Sequence, residues 1–503
     1  MSAAKEKIRV DPAVMRVAGV LVTGALAVVF DSTIVSVALH TLSSALHAPV
    51  STIQWVSTGY LLALGVSVPL AGWAQRRFGG KRVWMFALAL FLLGSILCSL
   101  AWDAPSLIAF RVVQGLGGGL MLPLLQTLIM QAASGKNLGR TMSIISLPTA
   151  LGPILGPVIG GIILNSLDWR WLFWVNVPFC VVGLFLAWRF LPRDTDTTRA
   201  RLDVVGLVLL SPALVGILYG LSDVTKSGGF GRGDVLIPMI GGVVLLAAFA
   251  IYAVRRQDQA LVDVRLLARR PVLAGSVLLF LSGAALYGAM LLLPLYFQEV
   301  RGQEVLLAGL LLAPQGLGTL LSRSLAGRLT DSIGARSVAV VGFLIVAVAT
   351  IPFAFVTSTT NEWWLMAALV VRGFGLGAVF IPVMTVAFVG LDRSEVSHAS
   401  ILIRVAQQVG GSFGVAVLAV ILEGIATSAA QTKAGLATAF DQAFWWSIGF
   451  TAIAVLVAFA LPGRVRAAVG TAVGTAGTPP VTTLTIAKAS RELSAPDDRS
   501  TSP

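Results

Sequence analysis

The chain has 503 residues, 56% of them hydrophobic and only 12% charged, with a mean hydropathy of +0.88. No soluble domain needs that much apolar surface, and the alternating segments of about ten residues that build a membrane β-barrel are missing. The net charge of +13 would suit a nucleic-acid binder, but the basic residues alternate loop by loop. A bilayer-crossing helix takes roughly 20 apolar residues. A window of that length finds about fourteen spans, near 14–39, 52–74, 83–101, 105–130, 139–165, 171–190, 204–222, 235–254, 272–298, 305–326, 337–356, 363–389, 397–425 and 442–461. The fold class expected is an all-α polytopic membrane protein.

With the N-terminal tail placed inside, that tail, the even loops and the C-terminus hold 27 of the 36 Lys and Arg. The odd loops hold Arg170, Lys226, Arg232, Arg301 and Lys433, and four more (Arg111, Arg323, Arg372, Arg404) fall within spans. This is the positive-inside bias, and it puts both termini in the cytoplasm. The basic clusters 76–82 and 255–270 are then topology signals facing anionic lipid, not nucleic acid. Cys98 and Cys180 lie inside spans, which makes a disulfide unlike them. Residues 463–503, rich in Thr, Ala, Ser and Pro, have the composition of a disordered cytoplasmic tail.

In chain order, span 1 carries FDSTIVSVAL at 30–39, with Asp31 the only acid deep inside the first six spans. Span 2 opens with IQWVSTGYLL at 53–62, and a loop GWAQRRFGGKR at 72–82 leads to span 3. Span 4 begins RVVQGLGGGLMLP at 111–123, supplying Arg111 and Gln114. Asp31 lies roughly 12 Å from the outer end of its span and Arg111 roughly 9 Å from the outer end of its own, at 1.5 Å per residue. A direct or water-bridged contact is therefore feasible. An intramembrane carboxylate costs about 2.5–3.5 kcal/mol on the insertion scale and is a functional candidate by default; a buried ion pair that merely fixes packing is the other reading. Span 5 carries Gly152, Gly156 and Gly160 on one helical face, with Gly161 following and Pro153 and Pro157 interleaved. Such a stripe packs backbone to backbone, and the prolines bend the helix. The expectation is that this face meets the opposite half of the molecule and gates a cavity; packing within one half is the alternative.

Spans 7 and 8 stand outside a weak internal repeat. GRLTDSIGAR at 327–336 repeats the first loop, and RGFGLGAVFIP at 372–382 repeats the span 4 motif, with Arg372 as the apparent counterpart of Arg111. Two six-helix bundles related by a pseudo-twofold axis are implied. The divisions are a tail 1–13, a first bundle 14–190, a linker 191–271 with two extra spans, a second bundle 272–462, and the tail 463–503. Gln54, Tyr60, Gln114, Tyr287, Gln315, Arg404 and Gln408, together with Asp31, have the mixed polar and aromatic character of a cavity lining. Arg323, close to the inner end of span 10, is placed to snorkel.

With these motifs on the page, the chain resembles the fourteen-helix drug:proton antiporter branch of the major facilitator superfamily over about residues 15–462. The resemblance rests on the segments 30–39, 53–62, 72–82, 111–123, the glycine–proline run of span 5, WRWLFWVNVP at 169–178, and ASILIRVAQQVGGSFGVAVL at 399–418. It implies that Asp31 and Arg111 serve proton coupling and cation recognition. It also implies that Gly72, Gly79 and Arg82, and in the second copy Gly327, Asp331 and Arg336, are gating loop residues. Two departures stand out. Arg76 takes the place of the usual loop acid, which weakens a charge-paired latch in the first half and favours one in the second. Arg404 and Gln407 replace an Asn and an Arg in span 13.

The function implied is proton-coupled export of amphipathic, cationic small molecules across the cytoplasmic membrane, with the proton gradient as energy source and no cofactor, metal or obligate protein partner. No phosphate-binding G-x-x-x-x-G-K-[ST] run is present, and no enzyme activity is expected. A dedicated exporter or flippase of one endogenous compound, such as an antibiotic, siderophore or lipid, shares the same features, and a membrane enzyme or sensor is the reading of another class.

Overall fold

Helices occupy all fourteen expected positions in the computed structural model, which describes residues 11–35, 38–133, 147–194, 201–227, 231–256, 260–357, 360–428 and 433–462. The two tails assigned from composition lie largely or wholly outside these residues. The helices are α1 (Pro12–Ile34), α2 (Val50–Ser67 continuing as Leu70–Phe78), α3 (Gly80–Ser99), α4 (Ala104–Ala133), α5 (Leu147–Ser166), α6 (Asn176–Phe190) and α7 (Val204–Ser227). They continue as α8 (Gly233–Arg256), α9 (Arg270–Leu295), α10 (Val305–Ile333), α11 (Ala335–Thr350), α12 (Glu362–Ala387), α13 (Arg393–Ser428) and α14 (Lys433–Ala458). Among the described residues eleven spans are long and apolar enough to cross a bilayer, α6 counted from Trp171 and α11 to Phe355, and α2, bent by 52° next to Pro69, makes a twelfth. A proline has no N–H to give the ladder, so the bend falls where the sequence puts Pro69. α5 and α10 fill the two remaining positions.

The packing repeats. α1 lies against α4, α5 and α6, and α4 is flanked by α2 and α3. In the same pattern α9 lies against α12, α13 and α14, and α12 is flanked by α10 and α11. The glycine runs set this register. A Cβ on Gly115 would meet the Tyr60 carbonyl at 2.5 Å, and one on Gly117 would meet the Phe91 N at 2.6 Å. Gly373 stands in the same way against Gln315, and Gly375 against Gly342 and Val346. The bare faces let α4 and α12 wedge backbone-close between two neighbours. The repeated loops also match: Gly79 (φ +90°) and Gly334 (φ +100°) both close one helix and open the next in a conformation that a side chain disfavours.

α7 and α8 pair with each other, and α7 also packs on α2 and α13. The Ser211 hydroxyl donates to the Val66 carbonyl at 3.3 Å, tying α7 to α2. The extra helices are thus part of the wall where the two sets meet. The sets also touch directly, α5 on α10 and α13 on both α4 and the second half of α2.

Candidate functional site

Asp31 is fully buried on α1, and α4 brings Arg111, 1% exposed, to it at 2.5 Å. The contact inferred from depth alone is direct. Two amides complete the carboxylate's shell: Gln114 Nε2 donates to Oδ1 at 3.0 Å and Asn176 Nδ2 to the same oxygen at 2.9 Å. Both amides also donate to the Ser95 hydroxyl at 3.1 Å, and that hydroxyl donates to the Phe173 carbonyl. Arg111 in turn donates to Gln114 Oε1 at 2.7 Å and to the Val56 carbonyl at 3.2 Å. Its guanidinium lies 4.0 Å from the centre of the Tyr60 ring, an aromatic face that stabilises a desolvated cation by about 2 kcal/mol. Five helices, α1, α2, α3, α4 and α6, meet at this one carboxylate.

Sequence reasoning found Asp31 and Arg111 and missed Asn176 and Ser95. The WVNVP run pointed at Asn176, but only as a family mark. Gln114 and Tyr60, expected on a cavity wall, instead belong to the buried network. The Gln54 side chain lies outside the described residues.

The second set carries a different chemistry at the same register. Gly115 and Gly373 are counterparts, so Arg372 stands where Gln114 does, and the apparent match to Arg111 is corrected: Leu369 takes that place. Ser282 takes the place of Asp31, since Gly152 and Gly156 face Val29 and Thr33 where Gly410 and Gly414 face Phe280 and Ala284. Buried Arg372 donates to Gln315 Oε1 at 2.6 Å, to Thr350 Oγ1 and to the Ala285 carbonyl, all neutral acceptors. Gln315 is therefore engaged as its partner. Arg323, expected to snorkel, is 7% exposed and lies under the Phe380 ring.

The glycine face of α5 does not meet the opposite set at the positions described. A Cβ on Gly152 or Gly156 would strike Val29 or Thr33 of α1, and the Thr33 hydroxyl donates to the Gly152 carbonyl at 3.1 Å. The expectation of a cross-bundle glycine contact is corrected to packing within the first set. Gly160 is buried and Gly161 half-buried, and the Pro153 and Pro157 side chains lie outside the described residues.

At the end carrying the basic loops, the first loop copy makes a bond between the sets. Arg76 donates to His398 Nε2 on α13 at 2.7 Å, and Nδ1 of the same ring lies 3.2 Å from the Asp263 backbone nitrogen. Gly72 leaves room for Ile401 and Ser397, and Thr127 meets Ser400 at 3.3 Å. Burial works against the Asp263 charge, yet the Arg265 guanidinium and backbone N–H outweigh it and hold the carboxyl below its usual range. This cross-set bond uses Arg76 of the first copy, the residue that replaces the usual acid. Elsewhere the loops hold their own bundle. Asp194 accepts from the backbone N–H groups of Lys81 and Arg82 beside Gly79, and Arg336 donates to the Leu461 carbonyl at 2.6 Å. Gly327 is buried and Asp331 exposed.

Residues 21–415 match the family model of the Major Facilitator Superfamily. The Multidrug resistance protein B homolog of Mycobacterium tuberculosis (strain ATCC 25618 / H37Rv) is 37% identical over 416 residues, 82% of this chain and 77% of that protein. The lincomycin resistance protein LmrB of Bacillus subtilis (strain 168) is 29% identical over 394 residues, 78% of this chain and 82% of that one. Among solved structures, the proton:xylose symporter XylE bound to 6-bromo-6-deoxy-D-glucose superposes with a TM-score of 0.61 at 15% identity, covering 89% of this chain and 95% of that one.

Proposed function

The chain belongs to the major facilitator superfamily, in its drug-efflux branch, and from that footing we propose that it exports amphipathic small molecules in exchange for protons across the cytoplasmic membrane, with both termini in the cytoplasm. The observation that carries the coupling is the buried Asp31, whose single charge is balanced by Arg111 alone. Protonation removes that charge where water cannot replace it. Arg111 then keeps two acceptors, Gln114 Oε1 and the Val56 carbonyl, so both protonation states have a hydrogen-bonded arrangement. A proton that favours one arrangement and a substrate that favours the other exchange through a shift in population.

The path from charge to movement runs along α1. Thr33 lies two residues beyond Asp31 and is the α5 contact, and α5 touches α10 of the second set. A small displacement of α1 is passed through α5 to the bundle interface. The multidrug and lincomycin resistance names of the relatives support drugs as the substrate class. The basic loops support the inward placement of the Arg76–His398 end. The test is efflux by Asp31→Asn, expressed to wild-type level in the membrane. Loss of pH-gradient-driven efflux is expected, and normal pH-dependent efflux removes Asp31 from the mechanism.

A further inference from the structure

Arg404 is a half-buried cation that the exporter mechanism does not use. It sits on α13, and its NH1 donates to Gln407 Oε1 at 3.1 Å, a neutral acceptor three residues on. Its Nε is buried with no hydrogen-bond partner among the described residues. Among the described residues, the titratable side chains that act on it are the phenols of Tyr287 and Tyr60. Asp31 is committed to Arg111, Gln114 and Asn176. A guanidinium whose Nε is buried and unbonded, with one neutral side-chain partner, carries a cost that an incoming counter-charge would offset.

The same residue lines a narrow crevice with Leu64 and Val68 of α2, Leu214 and Leu218 of α7, and Gln408 of α13. The composition fits a small-molecule site, apolar walls with a few convergent polar groups, and the walls must part to admit an occupant. The walls come from the first set, the second set and an extra helix, so an occupant touches all the parts that must move past one another.

We propose that this crevice, opened as those parts move, receives the acidic end of an amphipathic substrate, a carboxylate, sulfonate or phosphate, with Arg404 as its counter-charge, Gln408 as a donor, and the α2 and α7 side chains holding its apolar body. The guanidinium fork suits a planar two-oxygen acceptor. The inference rests on the exporter reading and replaces the cationic substrate that the sequence suggested. It also gives α7 a role as a wall of the binding site. A phospholipid headgroup offers the same oxyanion chemistry as a free acid.

The test is binding to the purified full chain in phosphatidylcholine nanodiscs, using 1-pyrenebutyrate and a pyrenebutyl-trimethylammonium salt. The two probes share an aromatic body and differ in the sign of the head. Energy transfer from the protein's 12 Trp residues reports occupancy, and empty nanodiscs correct for partition. The acid is expected to bind the wild type at least about tenfold more tightly than the cation. Arg404→Gln should lose most of that preference, Arg404→Lys should keep part of it, and Arg404→Glu should reverse it. Size exclusion and thermal melting of each variant confirm folding, and Arg404→Lys carries the comparison if Arg404→Gln misfolds. Addition of phosphatidylglycerol separates the sources: displacement of the acid marks a lipid occupant, and no displacement a free acid. Equal binding of both probes, preference for the cation, or undiminished acid binding in folded Arg404→Gln overturns the proposal. Binding of the acid without proton-driven transport would instead remove the exporter reading and leave the site standing.

Discussion

Asp31 is held by one cation and two amides, and those bonds set what its variants should do. Arg111→Ala strands the buried carboxylate, and removal of one partner of a buried pair costs about 3–5 kcal/mol. A large fall in the melting temperature of the purified protein is expected. The double variant Asp31→Asn with Arg111→Gln leaves no buried charge and should melt above Arg111→Ala alone, a coupling that a double-mutant cycle reads directly. If the double variant is the less stable of the two, the pair is not the energetic unit described. The pair was legible in the sequence because charges inside apolar runs are conspicuous and helical rise gives their depth. Asn176 and Ser95 were not legible, since neutral polar side chains in membrane helices have many uses and only the fold brings them to Asp31. Arg404 was visible as a departure from the pattern of the family that the chain resembles, but its crevice depends on how α2, α7 and α13 meet.

At the scale of the helix, a small-residue stripe predicts close approach and says nothing of the partner. The α5 stripe was legible; its direction was not, because the same glycines serve packing on α1 or on the other set equally well. In the fold they seat α5 on Val29 and Thr33, on either side of Asp31 in the chain. Gly156→Leu therefore drives a side chain into Thr33, and overpacking of this kind costs about 1–3 kcal/mol. Efflux should fall sharply and the melting temperature with it. Ile162→Leu, on the exposed side of α5, should change neither. Full efflux in Gly156→Leu with an unchanged melt would mean that the α1–α5 seat is dispensable. The α4 and α12 stripes were also read correctly as repeats, but only their backbone contacts fix the register and pair Arg372 with Gln114.

For the whole molecule, fourteen spans and the two-bundle repeat followed from hydropathy and repeated motifs, while the meeting of the bundles did not. Reporter fusions at Ser44 and at Asp258 should fall on opposite sides of the membrane; the same side for both would overturn the topology. Thr127 and Ser400 bridge the two sets at 3.3 Å, so cysteines placed at both positions should crosslink, stop transport, and recover it on reduction. Full transport in the crosslinked protein would show that the sets need not separate there. The central claim is that a proton at Asp31 drives the exchange. Its most direct measurement is substrate-dependent proton movement in proteoliposomes carrying a pH-sensitive dye, compared between wild type and Asp31→Asn over a panel of acidic, neutral and cationic amphiphiles. Substrate-stimulated proton flux is expected in the wild type and none in Asp31→Asn. Equal flux in both would contradict the claim.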